Sequence, residues 1–384
     1  MNPVFADLPT TIFEEMSVLA RQYEAINLGQ GFPDDPGPLD VRRKAAEAVL
    51  DGNNQYPSMM GIPELRAAIA AHYGAHQGLT LDPATEVMVT SGATEAIAGA
   101  LFALLSPGDE VVIFEPAYDA YGPLIRRAGG VVKAVKLQPP EWKMTEAAIR
   151  EALSPRTRVV LLNNPLNPAG VVYGADDLAV LAKAIEGTDI VVVSDEVWEH
   201  VVFDGRRHVS ILNVPGLRDR AVKIGSAGKI FCLTGWKVGF VAAAPHLLKA
   251  LAKAHQFLTF TTPPNLQVAV AYGLGKEAAH FEAMRADLQA KRDHLARGLT
   301  SAGFDVLKSA GTYFINVDLA PKGLTDDAAF CRRLVKEAGV AAIPVSAFYG
   351  NGDMRTVVRF CFAKKESTLD EAVRRLVAAA PKLM

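Results

Sequence analysis

Three basic residues, Lys229, Lys237 and Arg359, lie after or within apolar runs, where a basic side chain could bind or react with a ligand. Lys229 follows the small residues Ser226-Ala227-Gly228, and Lys237 lies eight residues further on. A lone lysine is usually solvated, but a lysine that follows small residues at a strand end in an α/β crevice is a candidate for imine chemistry. Arg359 interrupts an apolar run, so it either faces solvent on an edge strand or offers its planar fork to a carboxylate.

Polar and aromatic residues follow four other apolar runs, and each has a structural and a functional interpretation. Asp195 is either a cap or ion-pair partner, or a carboxylate at the end of a buried strand, which is costly unless it is paired. Asn167 lies in a loop with two Asn-Pro pairs, where a turn explains one pair and the second indicates an amide that is aimed at a ligand. Tyr118 is either a core residue or an aromatic that stacks on a planar ligand. Ser91-Gly92-Ala93-Thr94 is either a plain helix cap or an anion site.

These residues belong to a repeated pattern of strand, loop and helix that runs from Glu86 to Ala243. Continuous Val, Ile and Leu runs separated by helices are typical of a mostly parallel sheet that is covered on both faces. Ligands bind at the carboxyl ends of such strands, so we expect the polar residues to converge there. The predicted strands are 86–91, 110–115, 131–136, 159–163, 190–194, 221–225 and 238–243.

The pattern changes near Pro263, where a long predicted helix over 276–302 precedes a smaller α+β region. The segment before Asp40 has no strand nearby in sequence with which it could pair, so we expect it to pack on this smaller region. The predicted domains are a large domain at 41–285 and a small domain built from 1–40 and 286–384.

The composition excludes several classes of protein. The 384 residues are 50% hydrophobic and 21% charged, and 40 Lys and Arg stand against 42 Asp and Glu, for a net charge of −2. This apolar content excludes disorder, and the charge balance favours neither a nucleic-acid nor a membrane-surface partner. Cys232, Cys331 and Cys361 form no CxxC pair, so we expect no metal site, no disulfide framework and a reducing, cytoplasmic location. The chain starts without a signal-peptide pattern, and its purest apolar run, Ala96–Leu105, is too short to span a bilayer.

Taken together, these residues resemble the class I/II aminotransferases, which are pyridoxal 5'-phosphate (PLP) enzymes of fold type I. The most specific part is Ser226-Ala227-Gly228-Lys229 with Gly235-Trp236-Lys237-Val238-Gly239. Residues 27–34, 54–56 and 359–362 are similar to the branch of kynurenine aminotransferase, glutamine transaminase K and methionine aminotransferase. The resemblance implies an α/β fold with a mostly parallel seven-stranded sheet in the large domain, a small α+β domain, and a homodimer with shared active sites.

The resemblance also implies a role for each matching residue. Lys229 matches the catalytic lysine, which forms the Schiff base with PLP and then moves the proton of the substrate α-carbon. Asp195 would keep the pyridine nitrogen protonated, and Arg359 would bind the substrate α-carboxylate. The implied cofactor-binding residues are Tyr56 (from the neighbouring subunit), Ala93, Thr94, Tyr118, Asn167, Asp195, Ser226, Lys229 and Lys237. The implied substrate-binding residues are Phe13, Gly31, Asn167, Arg359 and, from the neighbouring subunit, Phe260.

Two positions depart from the family pattern. Trp198 stands where the family usually has a tyrosine whose hydroxyl binds the cofactor O3', so we expect a weaker O3' contact and a raised pKa of the Schiff base. A pH titration of the cofactor absorption band in the wild type and in Trp198→Tyr tests this expectation, which an unchanged titration would contradict. Lys237 stands where many relatives carry arginine, which keeps the charge but loses the fork.

The reaction and the substrate stay open at this point. An apolar pocket formed by Phe13, Tyr118 and Phe260 favours a neutral donor: an aromatic, methionine or glutamine-like L-amino acid, whose amino group would pass to a 2-oxo acid by a ping-pong mechanism. The alternatives are β-elimination from cysteine S-conjugates and N-succinyldiaminopimelate transamination, whose donor would need an extra cation in the pocket. A PLP-binding regulator would carry a DNA-binding module, and no basic helix-turn-helix segment is present. A nucleophilic Cys232 has no histidine in a matching motif.

Overall fold

The computed structural model describes residues 2–6, 8–350 and 352–383. Thirteen strands lie in this part of the chain. They are β1 (Ile26–Asn27), β2 (Val87–Thr90), β3 (Glu110–Glu115), β4 (Val131–Lys136), β5 (Thr157–Asn163), β6 (Val191–Asp195), β7 (Ala221–Ser226), β8 (Gly239–Ala243), β9 (Asp305–Val306), β10 (Phe314–Asp318), β11 (Val340–Ala341), β12 (Ile343–Pro344) and β13 (Val357–Cys361).

Fourteen α-helices accompany these strands in the described residues. They are α1 (Pro3–Ala6), α2 (Ile12–Gln22), α3 (Leu39–Leu50), α4 (Pro63–Gln77), α5 (Ala93–Leu104), α6 (Tyr121–Arg127), α7 (Glu146–Ala152), α8 (Ala175–Ala184), α9 (Ala227–Ile230), α10 (Pro245–Leu258), α11 (Pro264–Leu274), α12 (Ala278–Ser301), α13 (Asp327–Ala338) and α14 (Glu366–Leu383). None of these helices combines the length and the apolarity that a bilayer crossing requires.

The main sheet has seven strands in the order β2-β8-β7-β6-β5-β3-β4. β8 pairs antiparallel with both of its neighbours, and the other pairs are parallel, so the predicted α/β fold with a mostly parallel seven-stranded sheet is confirmed. Alternate residues of β3 pack into two apolar clusters: Val112 and Phe114 join one, and Val111 and Ile113 join the other. Successive side chains of a strand point to opposite faces, so both faces of this sheet are covered.

The carboxyl ends of three neighbouring strands bring polar residues to one edge of the sheet. β5 ends at Asn163 and β6 at Asp195, which are paired in register, and β7 ends at Ser226. β2 enters the same region from the far side of β8, and its end leads into α5. The parallel topology therefore positions the residues that the sequence predicted to converge.

A second, antiparallel sheet has the order β12-β13-β10-β9 and packs with α12, α13 and α14 around its own apolar cluster. The start of the chain joins this part, because β1 pairs with β11 and α2 packs against β11 and β12. The short helix α1 contacts α6 of the main-sheet region instead. The predicted packing of the N-terminal segment is thus found for α2 and β1 but not for α1, and the domain boundaries at 41–285 and 286–384 stay a prediction.

A buried ion network fixes the segment that follows β6. The Lys223 ammonium of β7 lies 2.6 Å from a carboxylate oxygen of Glu196 and 2.6 Å from one of Glu199, and all three side chains are almost fully buried. Burial alone would raise the pKa of Glu196, but Lys223 and His208 lower it to about 2. The network therefore ties the segment after β6 to β7 and keeps the Glu196 carboxylate in the charged form.

Replacement of Lys223 by methionine is expected to destabilise the fold strongly, because it leaves two buried carboxylates without their cation. Removing one partner of a buried ion pair costs about 3–5 kcal/mol, so the free energy of unfolding in urea should fall by about that amount. Lys183→Met is the control, because Lys183 also pairs with a carboxylate, that of Glu146 at 2.9 Å, but its side chain is 68% exposed. The control should leave the urea midpoint unchanged. Equal small effects of both variants would contradict the prediction.

Candidate active site

The carboxyl ends of the main-sheet strands and the start of α5 enclose a cavity of about 260 Å³. Eight predicted site residues line it. The full lining is Gly92, Ala93, Thr94, Ile97, Tyr118, Asn163, Asn167, Asp195, Val197, Trp198, Ser226, Lys229, Thr234 and Lys237. Of the predicted cofactor-binding residues, Tyr56 alone does not line the cavity.

Lys229 reaches the cavity from α9, the short helix that follows β7 directly. Burial lowers the pKa of its amine to about 8; Cys361 and Asp195 oppose this effect, while Arg359 and Lys237 add to it. An amine with this pKa exchanges protons readily near neutral pH and can act as a nucleophile.

Asp195 offers a buried carboxylate at the end of β6. One oxygen accepts a hydrogen bond from the Tyr121 hydroxyl at 2.6 Å, and the other accepts one from the Val197 N–H at 3.3 Å. Burial raises the pKa of Asp195, while these hydrogen bonds and Lys229 oppose the increase. Among the described residues Asp195 forms no ion pair, so the carboxylate is suited to a ligand that brings a protonated nitrogen.

The start of α5 has the features that can bind an anion. The helix has no side-chain cap at its N-terminus, and Ser226 and Lys237 line the same cavity as its first residues. Gly92, which precedes the helix, has a φ of +84°, and a Cβ there would lie 3.0 Å from Lys237 Cε. This position therefore needs glycine, both for the left-handed backbone and for the close approach of the lysine.

Arg359 lies at the side of the cavity and is 1% exposed. Its terminal nitrogens donate to Asn167 Oδ1 at 3.0 Å and to the Gly29 carbonyl oxygen at 2.7 Å, while its Nε has no partner. β13 is an inner strand of the second sheet, so the interpretation of Arg359 as a solvent-facing residue of an edge strand is wrong. Burial lowers the pKa of this guanidinium to about 9. In the part of the chain that the structure describes, no carboxylate pairs with it, which suits a ligand that carries one.

Aromatic rings surround Arg359 on several sides. Its guanidinium carbon lies 3.8 Å from the centroid of the Phe314 ring and 5.3 Å from that of Phe13. Gly31 lies against the Phe314 ring: a Cβ at this position would come within 2.5 Å of Phe314 Cζ. The predicted substrate-binding residues Phe13, Gly31, Asn167 and Arg359 are thus brought together, although the role of each stays a prediction.

Tyr56 and Phe260 stand apart from the cavity. Their rings contact each other edge to face at 5.7 Å, and Tyr56 is 83% exposed. Phe260 also has a φ of +65°. Within one chain these two residues are not part of the site, and their outward position leaves open their predicted role in the site of a neighbouring subunit.

Several residues of the site were not predicted from the sequence, and three of them contact a predicted site residue directly. Asn163 accepts the backbone N–H of Asn167 at 2.8 Å and is the last residue of β5, so the strand-end rule could have found it. Tyr121 binds Asp195, and its place three residues after Tyr118 was a weak signal. Phe314 stacks on Arg359 through the pairing of β10 with β13, which no local sequence pattern indicates.

These features fit PLP. The unpaired Asp195 carboxylate can hold a protonated pyridine nitrogen, and the α5 start with Thr94, Ser226 and Lys237 can hold a phosphate. Lys229 offers the amine that an aldehyde requires. Cys232 does not line this cavity, and burial raises the pKa of its thiol, which disfavours a nucleophilic thiolate.

The comparisons with known proteins agree with this geometry. The model of the family "aminotransferase class I and II" matches residues 23–376. A structure from Escherichia coli, for which a methionine aminotransferase function is identified, is 43% identical with a TM-score of 0.95 and covers 98% of this chain and 99% of that one. The structure of N-succinyldiaminopimelate aminotransferase from Mycobacterium tuberculosis is 44% identical with a TM-score of 0.95 and covers 99% and 100%. Rat kynurenine–oxoglutarate transaminase 1 is 36% identical and covers 95% of this chain and 94% of that protein.

The family match and the predicted resemblance, including its branch, therefore coincide with a site that has the amine, the carboxylate and the anion cup of such an enzyme. The chain belongs to the class I and II aminotransferases, which are PLP-dependent transferases of fold type I.

Proposed function

We propose that this aminotransferase binds PLP in the 260 Å³ cavity and moves the amino group of a neutral L-amino acid to a 2-oxo acid. The observation that carries the proposal is the lining of one cavity by a buried amine, an unpaired carboxylate and an anion site, with an unpaired guanidinium beside them. The donors in view are aromatic, methionine or glutamine-like amino acids.

The chain's own groups divide the work of the reaction. PLP, when bound, supplies an aldehyde for the amino group and a ring that withdraws electrons from the α-carbon. The Lys229 Nζ accepts the proton of the substrate α-carbon and delivers it again, as a general base and then a general acid. The Asp195 carboxylate holds the proton on the ring nitrogen, and the Tyr121 hydroxyl keeps that carboxylate in position.

A single carboxylate clamp supports a ping-pong order of binding. Arg359 is the buried guanidinium beside the cavity, and Asn167 orients it. Both the amino acid and the 2-oxo acid carry a carboxylate next to the reacting carbon, so they compete for the same guanidinium. They therefore bind in succession.

The charges of the cavity favour a neutral side chain on the donor. Lys229 and Lys237 are the cations of the described lining, and the proposal assigns them to proton transfer and to phosphate. The side near Arg359 is aromatic, with Phe13 and Phe348 in edge-to-face contact at 5.7 Å. A second carboxylate on the donor would be buried there without a cation. N-succinyldiaminopimelate is the second candidate donor, because one relative of equal similarity carries that name; cysteine S-conjugate elimination stays a prediction.

We also propose a homodimer with shared sites in the cytoplasm. The dimer is supported by large apolar side chains that are exposed: Tyr56 and Phe260, whose rings contact each other, and Leu50 and Phe257, which are 82% and 85% exposed. A cytoplasmic location is supported by the three free cysteines, because oxidising compartments favour disulfides.

The donor preference is tested with the purified enzyme, single amino donors and one fixed 2-oxo acid as acceptor, by mass spectrometry of the oxo acids that form from the donors. The panel holds methionine, phenylalanine, kynurenine, glutamine, aspartate and N-succinyl-diaminopimelate. Because an unpaired buried carboxylate is costly, kcat/KM for the best neutral donor should be at least about tenfold higher than that for aspartate or for N-succinyl-diaminopimelate, both of which carry a carboxylate beyond the one at the reacting carbon. A higher value for N-succinyl-diaminopimelate would replace the proposal by the second candidate.

Arg359→Lys should weaken the binding of donor and acceptor alike. It keeps the charge but loses the fork, and a charge-assisted hydrogen bond contributes about 1.5–3 kcal/mol, so KM should rise about 10- to 100-fold for both substrates. Arg374→Lys is a matched control, because Arg374 also binds a carboxylate, that of Glu371, but on the exposed face of α14. An unchanged KM in Arg359→Lys would refute the clamp.

Shared sites are tested by hybrid dimers of two inactive variants. Lys229→Ala removes the proton-transferring amine, and Tyr56→Asp places a negative charge where the proposal puts a phosphate of the partner's site. If Tyr56 serves the partner, an equal mixture forms hybrids with one intact site, and activity returns to about a quarter of that of the wild type. Sedimentation of each variant checks that dimers still form. A mixture as inactive as its components would contradict shared sites.

A further inference from the structure

The face of an indole ring lies close to the Lys229 amine. Its Nζ lies 4.6 Å from the centroid of the Trp198 ring. Nowhere in residues 2–6, 8–350 and 352–383 does a side chain or a carbonyl form a hydrogen bond or an ion pair with this nitrogen. An ammonium within about 6 Å of an aromatic face is attracted by its negative potential, and the indole gives the strongest attraction of the aromatic side chains.

Trp198 is held firmly in this position. Its side chain is buried, and its ring packs edge to face on Tyr313 at 4.6 Å and on Phe314 at 5.7 Å. The Tyr313 hydroxyl also donates a hydrogen bond to the Lys229 carbonyl oxygen at 2.7 Å. One tyrosine therefore fixes both the indole and the backbone that carries the lysine.

We propose that Trp198 is a positioning residue for Lys229, whose ammonium its indole face holds inside the cavity and stabilises relative to the free amine. The inference rests on the proton-transfer role of Lys229 that is proposed above. It assigns to Trp198 a part in the reaction that is separate from any contact with the cofactor.

The contact acts within a set of charges that oppose one another. Burial lowers the pKa of Lys229; Cys361 and Asp195 raise it, and Arg359 and Lys237 lower it further. A further carboxylate at the position of Trp198 would also favour the ammonium, but it would repel the carboxylate and the phosphate that the cavity is proposed to receive. An indole face stabilises the cation without a formal negative charge. It can therefore favour the ammonium while the cavity stays attractive to anions.

The test measures the basicity of Lys229 in the full-length chain freed of cofactor, so it does not depend on transamination. Trace acetic anhydride is added over a range of neutral to alkaline pH, and the acetylation of the Lys229 peptide is quantified by mass spectrometry. Trp198→Phe keeps a ring but weakens the attraction, so the midpoint of the Lys229 labelling curve should fall by about 0.5 to 1 pH unit. Free amine is then more abundant at neutral pH, and labelling there is faster.

Fluorinated tryptophan separates the electrostatic contact from packing. Each added fluorine weakens the negative face of the indole while the ring keeps its shape, so the midpoint should fall stepwise with fluorination in the wild-type chain. The chain has three tryptophans, and the Trp198→Phe variant grown on the same analogues carries them at Trp142 and Trp236 alone, which makes it the matched control. In that control the midpoint should not move.

If fluorination leaves the midpoint of the Lys229 labelling curve unchanged in the wild-type chain, the proposal is overturned, even if Trp198→Phe fails to fold. The same holds if the control shifts as much as the wild type. The proposed function fails by a different result, the absence of oxo acids from every donor, and that outcome would leave the labelling curve untouched.

Discussion

The buried guanidinium of Arg359 binds three separate parts of the chain at once. It donates to Asn167, in the loop after β5 of the main sheet, and to the Gly29 carbonyl of the N-terminal segment. It stacks on Phe314 of β10, in the second sheet. Burying an unpaired cation is costly, and the hydrogen bonds and the ring offset only part of that cost. A ligand carboxylate would supply the missing negative charge at the point where these three parts of the chain meet.

The main sheet also brings groups without a partner to the cavity. Its parallel strands end together, so Asp195 and Lys229 lie at one edge, and the uncapped start of α5 faces them. Each of these features has a cost when it stands alone: a buried carboxylate without a cation, a buried amine without a hydrogen bond, and helix N–H groups without a cap. A single ligand with a protonated ring nitrogen, an aldehyde and a phosphate satisfies all three. The fold thus brings together three groups whose burial is costly, at a place where one cofactor could offset all three costs.

Local signals explain how much of this could be predicted from the sequence. The bounds of β3 and β4 agree with the predicted runs, because a continuous apolar run with polar ends is visible within a few residues. Asp195 was found because it follows such a run directly, and Lys229 because it follows the small residues that come after one. Phe314 was not found, because its role depends on the pairing of β10 with β13 across the second sheet. Helices α10 and α11 were also not predicted, because they follow the last strand of the series, where the alternation of strand and helix ends.

In the segment from Asp195 to Glu199, the ion pairs of Lys223 determine where Trp198 can lie. Glu196 and Glu199 lie on either side of Trp198 in sequence, and both carboxylates are tied to the buried Lys223. The three residues of these ion pairs do not line the cavity, whereas Asp195 and Trp198 do. Because Lys223 fixes both flanks, the indole has little freedom to tilt away from the Lys229 amine. An ion network outside the cavity lining thereby restricts the distance between the Trp198 indole and the Lys229 amine.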